Sequence, residues 1–197
     1  MSWPLNYLLL RLQAIALVLV GHKYAALARF DAMLVLAPSS AYAMASRAHL
    51  LGELGDRQGA IAALQALTTV HPDHSAAWFN LGYLLDASAA FEAAEPAFRR
   101  AIDAEPRMDQ AWYGLALLLI RQGRFDEAVQ ALKKNTELQP MSPFGWYQLA
   151  RVHIERQQPE KALVIIRHLK GFEPKVAAQL ERETGLSLVP PHTTAGA

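Results

Sequence analysis

The chain has 197 residues, 52% of them apolar, enough for one large folded unit or one continuous repeat array with a substantial core. With 19 Lys and Arg against 18 Asp and Glu it is nearly neutral, and no long basic stripe offers the counterion release that nucleic-acid binding draws on. The absence of cysteine excludes a disulfide framework, a thiolate zinc site and a cysteine nucleophile.

At the amino terminus, Trp3 to Val20 is apolar apart from Asn6, Arg11 and Gln13, close to the length of a membrane-spanning helix. Arg11 weighs against spanning, because a charge at the centre of such a helix costs about 2.5–3.5 kcal/mol on insertion scales. No Lys or Arg precedes Leu8, and His22 and Lys23 follow the run, so no signal peptide is expected. Leu8, Leu9, Leu12, Ile15 and Leu19 instead mark an apolar docking helix with hardly any polar face. Terminal repeats need a polar outer face, so this end calls for a cover: a second copy, a partner protein, the membrane interface or Met1 to Asn6 folding back. In the plainer account, part of the stripe packs on the next unit.

Periodicity organises the rest. Pro38, Pro72, Pro106, Pro140 and Pro174 stand 34 residues apart, and Pro4 extends the register backwards. Six residues after three of these prolines come Trp78, Trp112 and Trp146, with Leu10 and Met44 in the two earlier units. Ala14, Ala48, Gly82, Ala116 and Ala150 form one small-residue column, and Ala26, Ala60, Ala94, Ala128 and Ala162 form another. Paired helices approach closely only where side chains are small, so the columns specify helix–helix contact. Trp78, Leu81, Gly82 and Leu85 follow the spacing of one helix face, and Ala94, Phe98 and Ala101 that of a second. Caps are expected at Ser40, Ser75, Asp109 and Ser142, and inter-helix turns at Gly21, Gly55 and Gly123. Pro96 falls inside a second helix, where a late start or a kink is expected.

Trp78, Leu81-Gly82, Ala94, Phe98, Ala101 and Pro106, and again Trp112, Leu115, Ala116, Ala128, Leu132 and Pro140, resemble the tetratricopeptide repeat signature. Leu17, Leu51, Leu85, Leu119 and His153 stand where that family usually has tyrosine, and Gln13 and Arg47 break the Leu column. The resemblance implies an all-α fold, a right-handed solenoid of antiparallel helix hairpins. Five units are expected over 7–40, 41–74, 75–108, 109–142 and 143–174, after an extension over 1–6. A capping helix over 175–185 and a disordered tail over 186–197 complete the layout.

The resemblance also implies that the first helix of each hairpin lines a concave groove that takes extended or helical peptides. The second, fifth, sixth and ninth positions of the units then present Tyr42, His49, Phe79, Asn80, Tyr83, Gln110, Tyr113, Phe144, Tyr147, Gln148 and Arg151. Rigid aromatics with polar tips suit such a role, although Tyr83, Tyr113 and Tyr147 also suit packing between hairpins. The family's carboxylate clamp is absent, since only Asn80 matches it, with Ala45, His49, Gln110 and Gly114 at the other places.

Catalysis finds no motif. Neither an activated nucleophile nor a phosphate-binding glycine loop occurs, and Asp126-Glu127 and Asp103 with Glu105 read as helix-end charges. His71 and His74 have loosely ligand-like spacing but no completing Glu or Cys, so no metal and no cofactor is expected. The expected molecule is a non-catalytic scaffold or assembly factor. Its Ala- and Leu-rich composition suggests a bacterial, cytoplasmic protein, with the inner face of a membrane as the alternative location. The expected partner is another protein, with a homodimer or a membrane-protein complex as alternatives and nucleic acid excluded.

Overall fold

The computed structural model of the chain describes residues 4–187. Among the described residues it is all-α: α1 (Leu5–Leu19), α2 (Lys23–Leu36), α3 (Ala41–Glu53), α4 (Arg57–Val70), α5 (Ser75–Ala87), α6 (Phe91–Ala104), α7 (Asp109–Arg121), α8 (Phe125–Leu138), α9 (Pro143–Glu155), α10 (Pro159–Lys170) and α11 (Pro174–Thr184). Consecutive helices pack as pairs, α1 on α2, α3 on α4, α5 on α6, α7 on α8 and α9 on α10. Two compact units result, Met1–Pro106 and Arg107–Ala197.

The 34-residue register fixes where the chain bends. Within each pair, the turn residues Gly21, Gly55, Ala89, Gly123 and Gln157 all take positive φ, between 56° and 82°. The next residue's N–H closes the turn by donating back to the first helix, on the carbonyls of Leu17, Leu51, Leu85, Leu119 and His153, at 2.8–2.9 Å. This left-handed stop suits glycine, and Ala89 and Gln157 bear a strain of about 1–2 kcal/mol each. Between pairs, the residues preceding proline, Ala37, His71, Glu105, Gln139 and Glu173, leave helical geometry with φ from −128° to −145°. Proline disfavours the helical region for its predecessor, and α2, α4, α6 and α8 stop there, whereas α10 stops earlier, at Lys170. Indole N–H groups then fasten two of these bends, Trp78 Nε1 donating to the Pro72 carbonyl at 2.7 Å and Trp146 Nε1 to Pro140 at 2.8 Å.

The two small-residue columns lie where the helices touch. Ala14, Ala26, Ala60, Ala94, Ala116, Ala128, Ala150 and Ala162 are all fully enclosed. At Gly82 a Cβ would stand 2.9 Å from Cδ1 of the buried Phe98 ring, so hydrogen alone fits. The first unit opens on a cluster of Tyr7, Ala14, Phe30, Met33 and Leu50. In the second, Leu132, Leu149, Val152, Ile166 and Leu169 enclose a core that α11 closes with Ala177 and Leu180.

Four local expectations need correction. Leu5 and Asn6, assigned by sequence to an extension, already belong to α1, because Pro4 needs no N–H and its carbonyl accepts from Tyr7 and Leu8. Ser75 and Asp109 are first helical residues and not caps. His74 caps α5, its Nδ1 accepting from Ala77 N–H at 3.2 Å, while Ser75 Oγ donates to Glu105 Oε2 at 2.7 Å. Around Pro96, α6 runs unbroken from Phe91, since the carbonyl that loses its donor is that of Glu92, exposed to water in the first turn. Of the expected extension and tail, Met1 to Trp3 and residues 188–197 lie outside the described residues.

Candidate functional site

In the first unit α1, α3 and α5 expose the ninth positions of their repeats, Ile15, His49 and Tyr83, toward two adjoining cavities. One, of about 440 Å³, is walled by Ile15, Val18 and Leu19 on α1, by Tyr42, Ser46 and His49 on α3, and by Asn80 on α5. The other, of about 400 Å³, lies between α3 and α5 against Leu64 and Leu67, with His49, Glu53, Asn80 and Tyr83 at its edge. Ala45, His49 and Asn80 line both. Both volumes fall within the roughly 300–1,000 Å³ typical of ligand sites.

Several contacts hold this surface in place before anything binds. Tyr42 meets the edge of the buried Phe30 ring, centroids 6.0 Å apart, and the Arg11 guanidinium lies 4.3 Å over its face. Glu53 accepts from Lys23 at 3.2 Å and faces His49 Nε2 at 3.5 Å. Tyr83 keeps 59% of its surface exposed. The arrangement offers apolar walls on one side and hydroxyl, imidazole and amide groups on the other, suited to a peptide whose backbone stays polar while its side chains bury.

Phe79 does not join this surface. It is half-buried against Phe98, centroids 6.1 Å apart. In the second unit the fifth position behaves likewise, for Tyr113 and Tyr147 are half-buried on the core. Tyr147 Oη donates to Glu183 Oε2 on α11 at 2.6 Å. That bond raises the tyrosine's pKa and lowers the carboxylate's. Gln148 and Arg151 line a smaller cavity of about 240 Å³ with Ile120, Phe125 and Glu155. Gln110 and Phe144 are exposed on α7 and α9. On α1, Leu8, Leu9, Leu12, Ile15 and Leu19 are all exposed, Leu19 to 81%. Sequence reasoning missed Val18 and Ser46, and it separated the apolar helix from the groove. Ile15 stands 34 residues before His49 and 68 before Tyr83, so the repeat register already joined the two surfaces.

Among the described residues no three His, Cys, Asp or Glu side chains gather as metal ligands. His71 Nε2 donates to the Ser39 carbonyl at 2.7 Å, and His74 is the cap of α5. No described helix is long and apolar enough to cross a membrane.

Packed helix pairs repeating one bend, one small column and one proline define a helical repeat protein. The tetratricopeptide repeat model matches residues 45–88 and 85–143, and the chain belongs to the tetratricopeptide repeat family, whose members bind other proteins or peptides. Among solved structures, that of the MamA protein aligns with a TM-score of 0.79 at 18% identity over 94% of this chain and 98% of that one. MamA 41-end from Desulfovibrio magneticus RS-1 aligns at 0.75 and 19%, over 94% and 100%. YrrB, described as a TPR protein with an unusual peptide-binding site, aligns at 0.73 and 21%, over 86% and 88%. At these identities the likeness carries the fold alone. No curated protein matches the sequence.

Proposed function

We propose that the chain is a non-catalytic scaffold that holds a partner's peptide segment in the cleft between α1, α3 and α5. The carrying observation is the meeting of two cavities at His49 and Asn80, with apolar side chains on the α1 wall and Tyr42 and Tyr83 at the edges. Apolar side chains of the segment enter against Ile15, Val18 and Leu19, and its amide groups meet Ser46, His49 and Asn80. Tyr42, already held by Phe30 and Arg11, loses little freedom on binding. The peptide-binding site named for YrrB supports the same kind of role here by analogy of fold.

A second reading rests on the outer face of α1, where Leu5, Leu9 and Leu12 are 53–80% exposed. That face docks on another protein surface, in a homodimer or a membrane-protein complex, or lies in a membrane interface. Affinity capture with mass spectrometry separates the two, using the intact chain, Tyr42→Ala/Tyr83→Ala and Leu8→Gln/Leu12→Gln. Loss of a partner with the tyrosine pair alone supports the cleft. Loss with the leucine pair alone assigns docking to α1 and removes the cleft reading. Leu8 and Leu12 line neither cavity, so the variants report separately.

A further inference from the structure

In the second unit, α8, α9 and α10 line an open cavity of about 630 Å³ that shares no residue with the cleft of the first unit. Its floor is apolar, with Val129, Leu149 and Ile165 buried and Trp146 half-buried beside them. Around it stand Lys133, Arg156 and Lys161 and a single carboxylate, Glu137. Two of these charges are already answered: Arg156 pairs with Asp126, and Lys134 donates to Glu137 at 3.0 Å. Among the described residues, neither Lys133 nor Lys161 has a carboxylate partner.

The neutral groups of the cavity complete the picture. Lys161 Nζ donates to Gln158 Oε1 at 3.2 Å, and His153 Nδ1 lies 3.0 Å from the same oxygen. Lysine can only donate, so the amide turns its oxygen to both, and His153 donates from Nδ1. The ring itself is buried, 5% exposed. Burial lowers its pKa; Lys161, Arg156 and Lys133 push in the same direction, and the Gln158 hydrogen bond opposes them. All three cations therefore act on one enclosed imidazole, in a space whose surplus charge is positive.

We propose that this cavity binds an acidic peptide segment, carboxylates meeting Lys133 and Lys161 while an apolar side chain covers Trp146 and the 61% exposed Val164. A small inorganic anion would leave Val164 and the half-buried Trp146 uncovered, and α10 opens with Pro159, which has no N–H to offer a phosphate. A carboxylate beside an apolar residue satisfies both halves of the site.

The test is fluorescence anisotropy of the full chain with a fluorescein-labelled Leu-Glu-Leu-Asp-Leu peptide, beside its Leu-Gln-Leu-Asn-Leu counterpart. The acidic peptide should bind about tenfold or more tightly than the neutral one. Lys133→Ala/Lys161→Ala should lose that advantage with its urea midpoint unchanged, and Lys133→Arg/Lys161→Arg should keep it. Binding should also raise the pKa of the His153 ring seen by NMR, because carboxylates offset the three cations. The proposal is overturned by absence of binding, by equal affinity for the two peptides, or by an alanine variant that binds as well as the intact chain. Full displacement by inorganic phosphate or an oligothymidylate at constant ionic strength would reassign the site and also overturn it.

Discussion

The first and last helices close their units in opposite ways. Each packs a narrow stripe inward: Tyr7 and Ala14 on α1, Ala177 and Leu180 on α11. Outside that stripe α11 is polar. Lys170 donates to Glu181 at 2.8 Å, Gln179 to Glu183 at 2.7 Å and Tyr147 to Glu183 at 2.6 Å. On α1 the outer surface is mostly apolar, with Leu5 at 80% and Leu19 at 81% exposure beside the exposed Asn6, Arg11 and Gln13. A capping helix should present water with groups that water solvates. Among the described residues, the second unit meets that requirement at α11, and the first does not meet it at α1. The apolar side chains of α11 therefore act in folding, and those on the outside of α1 are the ones the second proposed reading assigns to association.

The sharpest contrast is between two leucines. Leu180 is fully enclosed, so Leu180→Ala should cost about 2–5 kcal/mol, read as a fall in the urea midpoint. Leu12 is 65% exposed, so Leu12→Gln should shift the midpoint by no more than about 0.5 kcal/mol. A large loss at Leu12 would mean that the isolated chain already covers that face, and the contrast between the two ends would fall.

A smaller effect tests how firmly α1 is seated. Tyr7 is 1% exposed, and its hydroxyl shares a 2.6 Å hydrogen bond with Ser40 Oγ, which also caps α3 by accepting from Ala43 N–H. Tyr7→Phe should cost about 1 kcal/mol in the urea midpoint, the usual net worth of such a bond. No change would show that α1 is fixed by apolar packing alone.

Much of this was legible because steric rules leave marks in sequence. Prolines end helices, small residues mark helix contacts and glycines mark left-handed turns, so pairing and register followed from spacing. The hairpin turns at Ala89 and Gln157 kept the same geometry without glycine, held there by the carbonyls of Leu85 and His153. The candidate site was less legible, because one helix face carries both packing and exposed positions. Phe79, Tyr113 and Tyr147 share the fifth position and are half-buried, whereas the ninth-position His49 and Tyr83 line cavities. Residue type alone could not separate these groups. The cap of α5 was missed because an imidazole at His74 does what Ser75 was expected to do.

The smallest effect concerns charge. Glu183 is stabilised as a carboxylate by the Tyr147 hydroxyl and then by Gln179, which lowers its pKa. Its contribution is therefore complete above the ordinary carboxylate range and lost as pH falls through the lowered value. The pKa of Tyr147 is raised, chiefly by the same bond, so its contribution is complete below the ordinary phenol range and lost as pH rises through the raised value. The docking of α11 should accordingly be firmest between these limits. Because Glu183 is exposed, the effect should be slight: the urea midpoint of Glu183→Gln should lie just below that of the intact chain at neutral pH and merge with it in acid. A gap that persisted in acid would trace to something other than the carboxylate. On α1, Arg11 is the one ionisable group besides the buried Tyr7, and no carboxylate occurs there to titrate. Acid should thus loosen the polar end slightly while leaving the leucine face of the other as it was.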